Sequence, residues 1–261
     1  MKNCLYVLAF SIFTFAISSC KGDAKANKEA PVSEIVYKYK LTPFTQSPAF
    51  TDATITNMVY KEGKFSFEVS NYELGAQTAD ADSKMCANSG KGQHIHLIVD
   101  KEPYAAKYVN EFEHTVTDGT HHILAFLSRS YHESIKTKTA HLAQKVTVES
   151  GSITDATDIK DPMLFYSRPK GTYIGKQNTD KIMLDFYLCN IDISEDGNYV
   201  EANINGEIQK ITKWQPYFIE GLPMGENYVG LVIKDKDGKE LDIPLNPVKR
   251  IFTLKEDPLE E

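Results

Sequence analysis

From Thr54 onward, apolar and polar residues alternate in short bursts cut by Gly, Asn, Asp and Pro. KFSFEV, HIHLIV, HHILAFL and QKVTV come first, then KIMLDFYL, YVEANI, YVGLVI and RIFTL. Alternation sends successive side chains to opposite faces of an extended chain, so these bursts predict β-strands with one face buried. No long stretch carries a 3.6-residue period, and helix is expected to be scarce.

The later bursts repeat the earlier ones. FSFEVSNYEL (65–74) aligns with LDFYLCNIDI (184–193), setting Phe67 over Phe186 and Asn71 over Asn190. HLIVDKE (96–102) aligns with EANINGE (201–207), with Leu97 and Val99 over Ala202 and Ile204. From Phe112 to Val148 the offset holds at 106 residues, bringing Gly119 over Gly225 and Ala125 over Leu231. Identities are few, yet strand spacing and turn glycines keep step, which predicts a tandem repeat of units near a hundred residues.

Each unit, with seven or so short strands and stretches such as LIVDKEPY followed by DGTHHILAF, resembles immunoglobulin-like and fibronectin-type-III-like modules. The resemblance covers most of residues 50–254 and implies an all-β chain of two tandem sandwiches. A single β-barrel is the alternative. The first sandwich is expected over 50–152 and the second over 160–255, meeting in SGSITDATDIK (150–160), a polar stretch without strand character. The shared motifs are structural and imply no activity.

The first twenty residues read as an export signal. Lys2 precedes an apolar run from Leu5 to Ile17, too short to span a bilayer but suited to a signal-peptide core. ISSC then resembles a bacterial lipobox, which implies removal of residues 1–19 and diacylation of Cys20, with palmitate-type chains holding the protein at a membrane. Residues 20–49 are expected to be the lipidated cysteine and a flexible tether. The chain resembles lipoproteins of the Bacteroidota. KGDAK has one acidic residue after the cysteine, which favours the periplasmic face of the outer membrane over the cell surface.

A net charge of −7 from 29 basic and 36 acidic residues, evenly mixed, gives no footprint for nucleic acid. Cys86 and Cys189 remain beyond the leader and Cys20, too few for a disulfide scaffold. Cys189 sits in a predicted strand as a buried thiol, and a bridge between the two is not expected.

All seven histidines fall between residues 94 and 141. The repeat supplies an internal control: Tyr199 and Glu201 stand where the first unit has His94 and His96, so the shared fold does not require imidazole there. With Ile95, Leu97 and Val99 facing inward, His94 and His96 project from the other face of their strand. Immunoglobulin-type connectivity puts the longer loop 75–92 at the same end as SRSYHES (128–134). His94, His96, His132 and Cys86 are therefore a candidate nitrogen and sulfur set for zinc or copper, while solvated polar surface is the plainer alternative. Met85 could serve copper or pack the loop. His121 is expected to face inward and bond to backbone, remote from the set.

Arg129, Tyr131 and Glu133 make the 128–134 loop dense enough to hold a phosphate, a carboxylate or another polar ligand. Fastening of the loop by Arg129 to an acidic residue such as Asp80 or Asp82 is the competing reading. No G-x-S-x-G, H-E-x-x-H or phosphate-cradling glycine loop occurs. The sequence thus points to a membrane-anchored, non-enzymatic binding or accessory protein of the envelope, contacting a protein partner or small polar ligand. A metal-binding lipoprotein is the alternative, and an envelope hydrolase of unrecognised type a further one.

Overall fold

The alternating segments become strands throughout the computed structural model, which describes residues 37–258 except Gln46. The leader, Cys20 and residues 21–34 lie outside the described residues. In chain order come β1 (Lys40–Pro43), β2 (Thr54–Lys61), β3 (Lys64–Ser70), β4 (His94–Val99), β5 (Ala105–Lys107) and β6 (Glu111–Glu113). The long strands β7 (Gly119–Ser128), β8 (His141–Glu149) and β9 (Ser152–Asp158) complete the first half. The second half holds β10 (Met163–Arg168), β11 (Gly171–Ile174), β12 (Lys181–Cys189), β13 (Tyr199–Ile204), β14 (Glu207–Ile211), β15 (Tyr217–Glu220), β16 (Gly225–Lys234) and β17 (Val248–Lys255). Among the described residues helix is confined to Lys176–Thr179 and a 3-10 turn at Ala81–Ser83.

The strands form four sheets, ordered β2-β3-β6, β5-β4-β7-β8-β9, β1-β15-β12-β10 and β11-β17-β16-β13-β14. The fold is all-β with sandwich-type packing. The first two sheets enclose Ile55, Phe65, Phe67, Ile95, Leu97, Ile123, Ala125 and Val146. The last two enclose Leu164, Leu184, Phe186, Val200, Ala202, Val229 and Phe252. Phe67 and Phe186 thus both serve interiors, as the alignment predicts.

Cross-strand pairing follows the sequence repeat pair for pair. His94 lies opposite Ser128 as Tyr199 lies opposite Lys234, and Leu97 opposite Ala125 as Ala202 opposite Leu231. Gly119 faces Val148 as Gly225 faces Leu254. Even the isolated bridge Ser128–Ser134 has its counterpart in Lys234–Glu240. Asn71 and Asn190 both end a strand in the left-handed region, at φ 54° and 55°, and their side-chain amides donate to the carbonyls of Asp52 and Ile159 respectively.

A third interior separates the halves. Ile98, Leu124 and Phe126, on the back of the β4–β7 sheet, pack against Met163, Phe165, Tyr187 and Cys189 on the back of β10 and β12. Strands β4, β10 and β12 are consequently buried on both faces, whereas β13 keeps the alternation of a one-sided strand. Four layers around three interiors make β4 an inner strand, and this decides the environment of the histidines.

Two expectations are corrected. Lys40–Pro43 is no tether: β1 pairs with Tyr217–Glu220 at the edge of a second-half sheet. Nor does 150–160 lack strand character, since Ser152–Asp158 forms β9 against β8. As a largely exposed edge strand, β9 needs no apolar period.

Candidate metal centre

β4 carries His94 and His96 on the face opposite Ile95 and Leu97, in the register expected. That face is not solvent: both residues are 0% exposed. Docking of the β10–β12 sheet covers it and overturns the polar-surface alternative. His132 comes from the tight turn after β7, closed by the Arg129 amide donating to the Glu133 carbonyl at 3.0 Å. It sits at φ 69°, a left-handed conformation unusual for a side-chain-bearing residue, held there by its surroundings.

The three imidazoles converge. His94 Nε2 lies 2.8 Å from His96 Nε2 and 3.0 Å from His132 Nδ1, and the three ligand atoms are all within 4.8 Å of one another. His94 Nδ1 donates to the Gly92 carbonyl at 2.8 Å, which leaves its Nε2 as a lone pair pointing into the cluster. His96 Nδ1 bonds Ser167 Oγ at 3.2 Å. Lone pairs at such distances repel unless a proton or a cation stands between them. A proton bridges only two nitrogens, whereas a metal ion gathers all three.

Burial sets their charge. It pulls His94 down to about 4, aided by the nearby positive charges of Arg168 and Lys170 and opposed by the Gly92 bond. His96 and His132 are held well below the ordinary value, first by burial and then by neighbouring imidazoles and Arg168. Neutral imidazoles at neutral pH are the form a metal requires.

The surrounding residues fix the rings. Tyr104 stacks on His96 with ring centroids 3.7 Å apart and planes 9° apart, and its hydroxyl is 3.3 Å from His132 Nδ1. Tyr108 packs 5.0 Å from His94, its hydroxyl bonded to Ser89 at 2.8 Å. A β-bulge between Tyr166 and Arg168 shifts the register of β10, so that Arg168 pairs with Asp185 on the face turned toward β4. The Arg168 guanidinium is buried. It donates from Nη2 to Tyr173 Oη at 2.8 Å, while its Nε has no partner among the described residues. Lys170 Nζ sits 3.9 Å from the centre of the Tyr104 ring and donates to the Tyr104 carbonyl at 2.6 Å.

The long loop closes over this end as expected. Ser89 N donates to Ser130 O at 2.9 Å, and Thr78 and Ser130 exchange backbone-to-hydroxyl bonds at 3.2 and 3.0 Å. Gly92 adopts φ +85°, and a Cβ there would collide with the carbonyls of Gly75 and Ala76. Only glycine fits the position whose carbonyl orients His94.

Cys86 is not in the cluster. It packs with Phe44, Tyr131, Met183 and Phe218, and burial pushes its thiol up to about 11, which disfavours the thiolate a metal would bind. Met85 is exposed. Cys189 is a buried free thiol, as expected.

Arg129, Tyr131 and Glu133 are buried and occupied internally rather than facing a ligand. Arg129 pairs with Glu133 at 3.5 Å and donates to the Pro48 carbonyl. Ser47 donates to Glu133 at 2.5 Å, and Tyr131 Oη donates to Ser47 at 2.9 Å and to Asp80 at 3.1 Å. They fasten the turn to the segment after β1 through Pro48 and Ser47, and Arg129 pairs with Glu133 of its own loop where Asp80 or Asp82 was expected. His121 bonds the Thr117 carbonyl at 2.8 Å and Asp100 at 2.7 Å, at the far end of β4 from His94.

The residues the sequence did not single out are Gly92, Tyr104, Ser167 and Arg168. By pairing register Tyr104 corresponds to Ile208 in the second half, since Leu97 faces Ala105 as Ala202 faces Gln209.

Buried His94 and His96 with partly buried His132 can hold a zinc or copper ion. No family model and no curated protein matches the sequence. Among solved structures, the fibronectin(III)-like modules of Clostridium thermocellum CbhA are similar over 37% of this chain and 100% of theirs, at 12% identity and a TM-score of 0.29. So slight a likeness carries no argument about fold or activity. Among the described residues no helix is long and apolar enough to cross a membrane.

Proposed function

We propose that this chain is a non-enzymatic metal-binding lipoprotein of the bacterial envelope, holding zinc or copper through His94, His96 and His132. The observation that carries the reading is the convergence of the His96 and His132 imidazole nitrogens on the lone pair of His94, with His94 and His96 buried and His132 partly so. Hard cations such as Mg²⁺ and Ca²⁺ prefer oxygen ligands, which this cluster does not offer from carboxylates. Two immunoglobulin-like units, 50–152 and 160–255, form the body. Its histidines belong to the first unit and Ser167 to the second, so the metal would sit where the two meet. Cys20 carries the acyl anchor, and the folded part lies at the periplasmic face of the outer membrane.

Metal content decides the reading. Protein beginning after Cys20, purified without a histidine tag, should contain about one zinc or copper per chain, and a chelator should lower its melting temperature by mass action. The His94→Ala/His96→Ala variant should lose both the metal and the chelator response. A metal-free wild type that melts identically with and without chelator would overturn the proposal. Replacing Cys20 with serine should abolish fatty-acid labelling, and unchanged labelling would overturn the anchor.

A further inference from the structure

The cluster offers an ion three nitrogens and no negative charge. Among the described residues no carboxylate or thiol joins His94, His96 and His132. Tyr104 does not complete the set: its ring lies 9° from parallel to His96 at 3.7 Å, which keeps the phenol oxygen out of the imidazole plane in which an ion lies. We infer that the ion this centre selects is monovalent copper, Cu(I), over Zn(II) and Cu(II). The inference rests on the metal-binding reading above and names the ion.

Charge is the first support. Arg168 is buried, its Nε has no partner, and no carboxylate pairs with it among the described residues. Lys170 Nζ lies 3.9 Å from the centre of the Tyr104 ring, itself stacked on His96, so the ammonium stands within about 8 Å of the His96 ring. Both cations help to keep the three imidazoles neutral. Glu133 and Asp185 do not offset them, being engaged with Arg129 at 3.5 Å and Lys136 at 2.6 Å. Repulsion from a fixed cation doubles when the bound ion carries two charges instead of one, and the cost of taking that ion out of water rises fourfold. A neutral donor set returns none of this. The monovalent ion is therefore the one the surroundings penalise least.

Donor number is the second. Zinc in proteins is almost always four-coordinate, and Cu(II) favours a tetragonal set. Cu(I) has a filled d shell, no geometric preference from it, and is satisfied by two or three donors. The cluster supplies that number, with His94 Nε2 at 2.8 and 3.0 Å from the other two nitrogens. Softness does not decide, because imidazole serves zinc and copper alike. The repeat supplies the control: Glu201 stands at the His96 register in the second half and meets Lys234 at 2.6 Å, so the fold admits a carboxylate there and the first half carries none.

Cu(I), Cu(II) and Zn(II) are the probes, each titrated without oxygen against a chromogenic chelator of that ion, with ascorbate present in the Cu(I) arm. The protein lacks only the leader and Cys20. Wild type should bind one Cu(I) at least about 1,000-fold more tightly than either divalent ion. Lys170→Gln removes a cation outside the ligand set and should tighten Zn(II) and Cu(II) more than Cu(I), narrowing the preference about tenfold, whereas Lys170→Arg should keep it. Zn(II) or Cu(II) held as tightly as Cu(I) overturns the monovalent choice and leaves the histidine site standing. An unchanged preference in folded Lys170→Gln overturns the inference too, by removing its electrostatic cause. If Lys170→Gln fails to fold, the wild-type affinities decide alone. A wild type that binds none of the three ions overturns the histidine reading and this one with it.

Discussion

β4 and β13 are the same strand met twice. Each pairs with its long neighbour in the same register, and each sends alternate residues into a sandwich interior. They differ in what lies behind them. On β13, Tyr199 and Glu201 are half-buried at the surface, and Glu201 meets Lys234 at 2.6 Å. On β4, His94 and His96 are sealed beneath the β10–β12 sheet and meet each other. A partly exposed ion pair of this kind contributes about 1 kcal/mol. A buried polar group without a partner costs roughly 1–3 kcal/mol, so the sealed positions must be satisfied or ligated. The second layer thus turns an ordinary strand face into a site.

Four measurements can break or sharpen this contrast. The largest effect should come from the shared interior. Phe126→Ala removes a ring packed against Tyr187 with centroids 5.2 Å apart and should cost about 3–5 kcal/mol in urea unfolding. Val232→Ala, at the matching position on β16, is only half-buried and should cost about 1 kcal/mol or less. Equal losses would mean that the back of the β4–β7 sheet is not an interior.

The second concerns acidity in the metal-free protein. His94 has its folded pKa lowered from 6.5 to about 4, so between those values the unfolded chain binds more protons than the folded one. Stability should therefore be fullest above pH 6.5 and fall as pH drops toward 4, by about 3 kcal/mol from this residue alone. His94→Gln should flatten the curve in that window. A wild-type curve already flat there would place His94 in contact with water.

A smaller effect is expected from Ser167→Ala. Losing the hydroxyl that orients His96 should weaken metal binding about 10- to 100-fold with little change in melting temperature of the metal-free protein. Unchanged affinity would make the bond incidental. Smallest of all, Glu201→Ala should shift unfolding by under about 1 kcal/mol, and that shift should shrink further in salt. A loss of several kcal/mol would deny that β13 has an open back.

Much of this was legible in the sequence. Strand parity put His94 and His96 opposite Ile95 and Leu97, and the 106-residue offset anticipated the pairing register down to Gly119 and Gly225. The covering layer was not legible from β4 alone, because a strand's period says which face a residue takes and not what lies beyond it. A trace of it exists elsewhere: ILAFL, MLFY and IMLDFYL run apolar almost without alternation, as strands buried on both faces do, whereas VEANI alternates. Cys86 was misplaced because loop spacing fixes an end of the sandwich but not the path of the chain across it. Tyr104, Ser167 and Arg168 lie far apart in sequence, and only docking and the β10 bulge unite them.

The placement of β1 has a consequence for how the chain is made. Its partner β15 is nearly the whole body away in sequence, and Thr42 Oγ1 reaches Glu220 across a separation of 178 residues at 2.8 Å. A strand synthesised early must wait for one synthesised late, and the entropy of closing so long a loop is met only when most of the chain exists. The first strand is thereby a late arrival, and its docking marks completion. Any tension drawn through the segment ahead of Lys40 would load the β1–β15 seam of the second half first, and next the Ser47 and Pro48 bonds that hold the turn bearing His132.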